Sequence, residues 1–152
     1  MTKKEANEIL KRRITYYQDF VKKEGNFLKK MKAILKETPE LLEYLTDSFK
    51  SYLQFSVTSE EDLHKVRTLL RKAVGFWDDK ISGKDFLDFN KTYVFRFSKL
   101  IEGGIIYIQL NLKATDENKE VIEKYLDGCV LVEHKQHIEE HDETSMRIVC
   151  PM

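Results

Sequence analysis

The order of hydrophobic patterns after residue 50 constrains this chain more than any other feature. Tyr52–Val57 alternates, with Leu53, Phe55 and Val57 on one face and Tyr52, Gln54 and Ser56 on the other, as a half-buried strand does. Ser59 follows as an N-cap, with Glu60, Glu61 and Asp62 where the helix dipole favours negative charge. Leu63, Val66, Leu69, Leu70, Ala73 and Val74 then form an apolar stripe at helical spacing, closed by Gly75. Two more alternating runs, 92–98 and 105–112, meet at Gly103-Gly104. Thr115 caps a short helix that turns Val121, Ile122, Tyr125 and Leu126 inward and stops at Gly128. With a final strand the order is β-α-β-β-α-β, so an α+β, ferredoxin-like domain is predicted over 51–152. That architecture hosts many unrelated activities, and by itself it names none.

The last strand pattern is bipartite. Cys129-Val130-Leu131-Val132 folds back on Arg147-Ile148-Val149-Cys150 about Glu139-Glu140, pairing Leu131 with Ile148 and Cys129 with Cys150. An apolar root and a polar middle predict a long hairpin projecting from the sheet, in a register that rests on symmetry. Residues 1–50 differ again and read as an N-terminal helical segment. Leu10, Ile14, Tyr17, Val21, Leu28, Met31 and Leu35 follow coiled-coil spacing, broken only by Glu24. Gly25-Asn26 is expected to kink or split that helix. Thr38-Pro39-Glu40 is expected to start another, carrying Leu41, Leu42, Leu45 and Phe49.

A net charge of zero conceals a strong polarity. Residues 1–36 hold 11 Lys/Arg against 4 Asp/Glu, a net +7, and residues 116–143 hold 10 Asp/Glu against 3 Lys, a net −7. The two ends can attract within one molecule or between copies, and any nucleic-acid surface belongs to the helical end. No apolar run approaches the roughly 18 residues of a membrane span, and the chain is charged from Lys3 onward. A cytoplasmic protein with no membrane partner is expected, its two cysteines reduced and buried.

Four segments bear on chemistry. His137 to His141 reads H-x-x-E-H, a zinc-peptidase motif when a helix carries it, but here its flanks read as strands and no third ligand follows from a separate element. His134, His137 and His141 are therefore weak metal candidates on a solvated hairpin tip. The polar sheet face would show Tyr52, Gln54, Arg96, Tyr107, Gln109 and Asn111, a composition on which RNA bases stack, though the RNP signature is missing. The favoured arrangement has the N-terminal helices folded back over this face. The segment 76–89 mixes Phe76, Trp77 and Phe86 with aspartates, as a packed loop or edge hairpin, or, if exposed, as interface anchors. No nucleophile–base pair, phosphate loop or dinucleotide fingerprint is present, so neither a cofactor nor an enzymatic role is expected.

The run Cys129-Val130-Leu131-Val132-Glu133, a polar stretch, and then Met146-Arg147-Ile148-Val149-Cys150-Pro151 resembles the layout of small uncharacterised proteins of phages and other mobile elements. The resemblance implies a compact protein that binds and blocks or recruits another macromolecule, and it assigns no functional residue. A non-enzymatic protein acting by protein–protein contact is thus the expectation, for example an inhibitor of a host defence nuclease. Its contact residues would be Tyr17, Val21, Leu28, Met31, Trp77 and Phe86, with a homodimer as one outcome. The alternative is a nucleic-acid-binding module using Arg12, Arg13, Lys22, Lys23, Lys29 and Lys30 with Arg96 and Tyr107. A third is a metal-dependent hydrolase at the histidine-rich hairpin.

Overall fold

A computed structural model describes residues 1–49, 52–87, 91–126, 129–138 and 141–150, with only the backbone of 48, 49, 131, 133–138 and 141–147. Thr2 starts the chain's first helix, α1 (Lys3–Glu37), through a capping box. The Glu5 amide donates to the Thr2 hydroxyl and the Thr2 amide to the Glu5 carboxylate, each at 3.2 Å, which satisfies two orphan donors. The helix runs unbroken through Gly25, so Gly25-Asn26 does not split it in two.

The helix expected from Thr38 onward is also replaced. Pro39–Glu43 makes one 3-10 turn, and Leu45–Phe49 is a strand, β1, antiparallel to β2 (Tyr52–Val57). Local contacts explain the preference: the Thr46 and Ser56 hydroxyls meet at 2.8 Å across the pair, and the Tyr52 hydroxyl donates to Asp47 at 2.7 Å. Then come α2 (Glu60–Val74), β3 (Gly83–Leu87), β4 (Thr92–Ile101), β5 (Gly104–Lys113), α3 (Lys119–Lys124), β6 (Val130–Ile138) and β7 (His141–Val149). Ser59 caps α2 as its sequence implies, accepting from the Asp62 amide at 3.2 Å. α3 starts later than expected, at Asn118, because Thr115 is spent on the preceding turn, where its carbonyl accepts from the Asn118 amide.

The fold is α+β, with a five-stranded mixed sheet in the order β1-β2-β5-β4-β3. It departs from the ferredoxin-like order by one strand. A β-α-β-β-α-β chain runs its first strand antiparallel to its third. Here β3 is inserted before β4, which reverses the direction of everything after it, and β2 pairs with β5 in parallel, Phe55 level with Ile108. β6 does not join this sheet. The edge beside β2 is held by β1, and β6 pairs with β7 in a separate antiparallel ladder, Leu131 level with Ile148.

One face of the sheet is the core. Leu53, Phe55, Val57, Tyr93, Phe95, Phe97, Ile106, Ile108, Leu110 and Leu112 are buried there, under Leu63, Val66 and Leu70 of α2 and Ile122 of α3. Leu69 and Val121 pack against the cluster from its margin. Phe27, Met31 and Ile34 of α1 join the same cluster. Their helix passes so close to the β4–β5 turn that a Cβ on Gly103 would overlap the Lys23 carbonyl, and Gly103 sits at φ +84°.

Cys129 and Cys150 form a disulfide across the root of the β6–β7 pair. The expectation of reduced thiols is corrected: the two residues end facing strands in one ladder, which brings their sulfurs together. Bonds of this kind persist in oxidising surroundings. Among the described residues no helix is long and apolar enough to cross a membrane.

Two tests follow from these contacts. Gly103→Ala should destabilise the protein by more than the about 1–2 kcal/mol that a left-handed backbone costs a residue with a Cβ, because α1 must also move away; an unchanged thermal midpoint would contradict the close approach. Joint Cys129→Ser and Cys150→Ser substitution removes about 3 kcal/mol of chain constraint from the β6–β7 ladder. Hydrogen exchange should then speed up across β6 and β7 and stay slow in β4 and β5, and uniform protection would count against the bridge.

Candidate interaction surfaces

α1 presents two different faces along its length. In its second half the buried side is Phe27, Met31 and Ile34, one step round the helix from the heptad seam read in the sequence. Of the seam residues near the core, Met31 is 2% exposed and Leu28 41%. Met31 is therefore a core residue, which corrects its assignment to a partner surface. Towards the N-terminus the helix carries large apolar side chains that no described residue buries. Leu10, Ile14, Tyr17 and Val21 are 56%, 57%, 64% and 65% exposed, and Ile9, Tyr16 and Phe20 widen the same apolar arc. Arg12, Arg13, Lys22, Lys23, Lys29 and Lys30 are all exposed on this helix as well. Lys23 pairs with Asp19 at 3.1 Å, and the hydrogen bond to that carboxylate raises its pKa.

The polar face of the sheet is not covered by helices, contrary to the favoured arrangement, because α1 spends its anchoring residues on the opposite face. Ladder pairing lines up Ser98, Tyr107, Gln54 and Asp47 in one row, and Arg96, Gln109 and Ser56 in the next. These side chains largely satisfy one another. Arg96 meets Asp85 at 2.6 Å, Gln109 donates to Asn111 at 2.9 Å, and the Tyr52 and Tyr107 rings pack edge to face at 6.0 Å. The hydrogen bond to Asp47 raises the Tyr52 pKa.

The loop between α2 and β3 behaves as a packed element. Trp77 is fully buried, so it is no interface anchor, whereas Phe86 is 38% exposed and rests edge to face on Tyr93 at 4.9 Å. Arg67, which the sequence reading missed, explains the seating of Trp77. It lies buried in the apolar stripe of α2, 4.7 Å from the Phe97 ring, and bonds Asp79 at 2.9 Å. Arg71 reaches the same carboxylate oxygen at 2.8 Å and the Trp77 carbonyl. Two guanidiniums one helical turn apart thus pin the loop, and the signal was their i, i+4 spacing ahead of Asp78-Asp79. Burial lowers the Arg67 pKa, opposed by Asp79.

A second polar cluster fixes α3 to α2. Glu60 accepts from Lys124 at 2.8 Å and from the Tyr125 hydroxyl at 2.9 Å. Burial pushes the Glu60 carboxyl upward, but these two partners outweigh it and its pKa falls, while burial and Glu60 together push Tyr125 up. A cleft of about 300 Å³ beyond the ends of β2 and β5 is lined by Thr58, Thr92, Asn111, Lys113, Thr115, Glu117 and Asn118. Its hydroxyls and amides suit hydrogen bonding rather than metal ligation. Among the described residues no group of three metal-ligating side chains occurs. The side chains of His134, His137 and His141 lie outside the described residues; their backbone belongs to β6 and β7, not to the single helix that a zinc-peptidase motif requires.

Comparison with models of known protein families, with curated proteins and with solved structures found no match.

Trp77→Ala should cost about 3–5 kcal/mol, as loss of a buried ring does. Chemical denaturation measures it, and a change within about 0.5 kcal/mol, the range of an ordinary surface substitution, would return Trp77 to the list of contact residues.

Proposed function

We propose that this chain is a non-enzymatic binding protein whose docking surface is the projecting first half of α1. One observation supports this above the others: seven large apolar side chains between Ile9 and Val21 are each exposed by more than 40% on a single helix. Patches of that kind mark interaction sites on monomeric proteins. Phosphate binding needs only the basic side of such a helix, so the apolar arc favours a protein partner over nucleic acid. Tyr17 and Val21 are central to this reading, Leu28 lies at its inner margin, and Phe86 belongs to a separate exposed region.

In its finer form the reading is an inhibitor, encoded by a mobile element, that occludes a host macromolecule such as a defence nuclease. Such a protein needs a rigid, adhesive projection on a stable core, which α1 and the sheet would supply. A cytoplasmic site of action carries one condition, that the Cys129–Cys150 bond withstand reducing surroundings or be dispensable there.

The test is capture from the source cell with wild-type protein and with Leu10→Asp/Val21→Asp. The substitutions should leave the thermal midpoint within a few degrees of wild type and lower partner recovery at least tenfold. Recovery unchanged in the variant would reject the helix as the docking surface. A mobility shift on nucleic acid that weakens steeply between 50 and 200 mM salt, on the order of the loss expected for several phosphate contacts, would favour the basic face instead.

A further inference from the structure

We infer that the exposed arc of α1 pairs with the same arc of a second copy, antiparallel, in one definite register. The inference rests on the reading of α1 as a docking surface and names its occupant. Leu10, Ile14, Tyr17 and Val21 are spaced 4, 3 and 4 residues apart, the spacing of a two-stranded seam. In an antiparallel pair each such position faces one whose residue number makes a constant sum. When that sum is 31, Leu10 faces Val21 of the second copy, and Ile14 faces Tyr17 of the second copy. All four exposed apolar positions are then matched with apolar ones.

The rest of the seam agrees with this register. Glu24, the break in the heptad pattern, falls opposite Asn7 of the second copy, polar against polar. Leu28, 41% exposed at the edge of the core, falls opposite Lys3 of the second copy, whose aliphatic stem can cover it while its charge stays in water. Beside the seam, Lys11 meets Gln18 of the second copy, and Arg13 meets Phe20 of the second copy, a cation against a ring. No flanking pair brings like charges together. Sliding by one heptad either way loses the match: a sum of 24 sets Tyr17 against Asn7 and Val21 against Lys3, and a sum of 38 sets Ile14 against Glu24.

Orientation follows from charge. Residues 1–36 carry +7, so a parallel pair would align two similarly charged helices and their dipoles. Antiparallel pairing opposes the dipoles and sets the two cores at opposite ends of the helix pair. Lys22, Lys29 and Lys30 remain on the outer side, away from the seam.

Sedimentation equilibrium of the full chain should show a monomer–dimer equilibrium, shifted to monomer by Leu10→Asp/Val21→Asp at least tenfold in dissociation constant. The orientation is read from single cysteines. Chains carrying Leu10→Cys and Val21→Cys should cross-link when mixed under mild oxidation, and neither should cross-link with itself, because like positions lie about 16 Å apart along an antiparallel pair. A concentration-independent monomer, a dimer indifferent to the aspartates, or self-cross-linking of Leu10→Cys would each overturn the proposal. A wild-type monomer whose partner capture is still lost in the aspartate variant overturns the self-pairing alone and leaves the docking surface in place.

Discussion

The length of α1 is the constraint from which the surface properties of this protein follow. Thirty-five residues of helix extend about 52 Å, whereas a small domain is about 30 Å across. One end can be packed and the other cannot. Phe27, Met31 and Ile34 settle which, because they reach the cluster around Leu53, Phe55 and Ile106, and Gly103 admits the helix backbone against the β4–β5 turn. A bulkier residue at that turn would hold α1 off the sheet. The projecting end is therefore set by a contact at Lys23, two residues beyond Val21, the last of its exposed apolar side chains.

Inside the domain a different constraint operates, and it is one of parity. Each strand added in a meander reverses the chain. β3, five residues pairing only with β4, turns an antiparallel centre into a parallel one between β2 and β5. The parallel pair needs α2 to cross the sheet, and α2 in turn needs its loop held, which Arg67 and Arg71 do by sharing Asp79. Burial of Arg67 against Phe97 is tolerable because the guanidinium keeps one carboxylate, itself well exposed to water.

What could be read from the sequence was whatever depends on local period. The alternation in β2, β4 and β5, the Ser59 cap, the Gly75 stop and the turn at Gly103 all correspond to elements of the structure. What escaped depends on partners distant in sequence. β1 was read as helix because Leu41, Leu42, Leu45 and Phe49 have helical spacing, while its pairing with β2 is invisible to a window of that size. The sequence of β3 fits a packed loop as well as an edge hairpin, since a single exposed edge strand has no strong alternation, and the sheet order depends on it. The heptad seam of α1 is present in the residues, but the core takes only part of it, Met31 and Leu35, together with Phe27 and Ile34 from beside it. Arg67 lay within an apolar stripe as a charge and was passed over for that reason. Of the contact residues, Tyr17, Val21 and Phe86 are exposed, while Met31 and Trp77 are buried, because burial of an aromatic or a methionine is decided by what the chain folds against it.

The projecting half of α1 also has to remain a helix, and its own resources for doing so are modest. Helices in proteins draw most of their stability from packing an apolar face rather than from propensity, and Gly25, where no neighbour would meet a Cβ, weakens the joint with the packed half by about 1 kcal/mol relative to alanine. Against this stand the Thr2–Glu5 capping box and the Asp19–Lys23 pair, each contributing about 1 kcal/mol or less. The larger reserve is the uncovered arc itself. A few hundred Å² of apolar surface taken out of water is worth on the order of 5–10 kcal/mol at about 25 cal/mol per Å², several times the sum of the local terms. Order in this segment and occupation of its apolar face are thus coupled: whatever covers Leu10, Ile14, Tyr17 and Val21 also stabilises the helix that presents them.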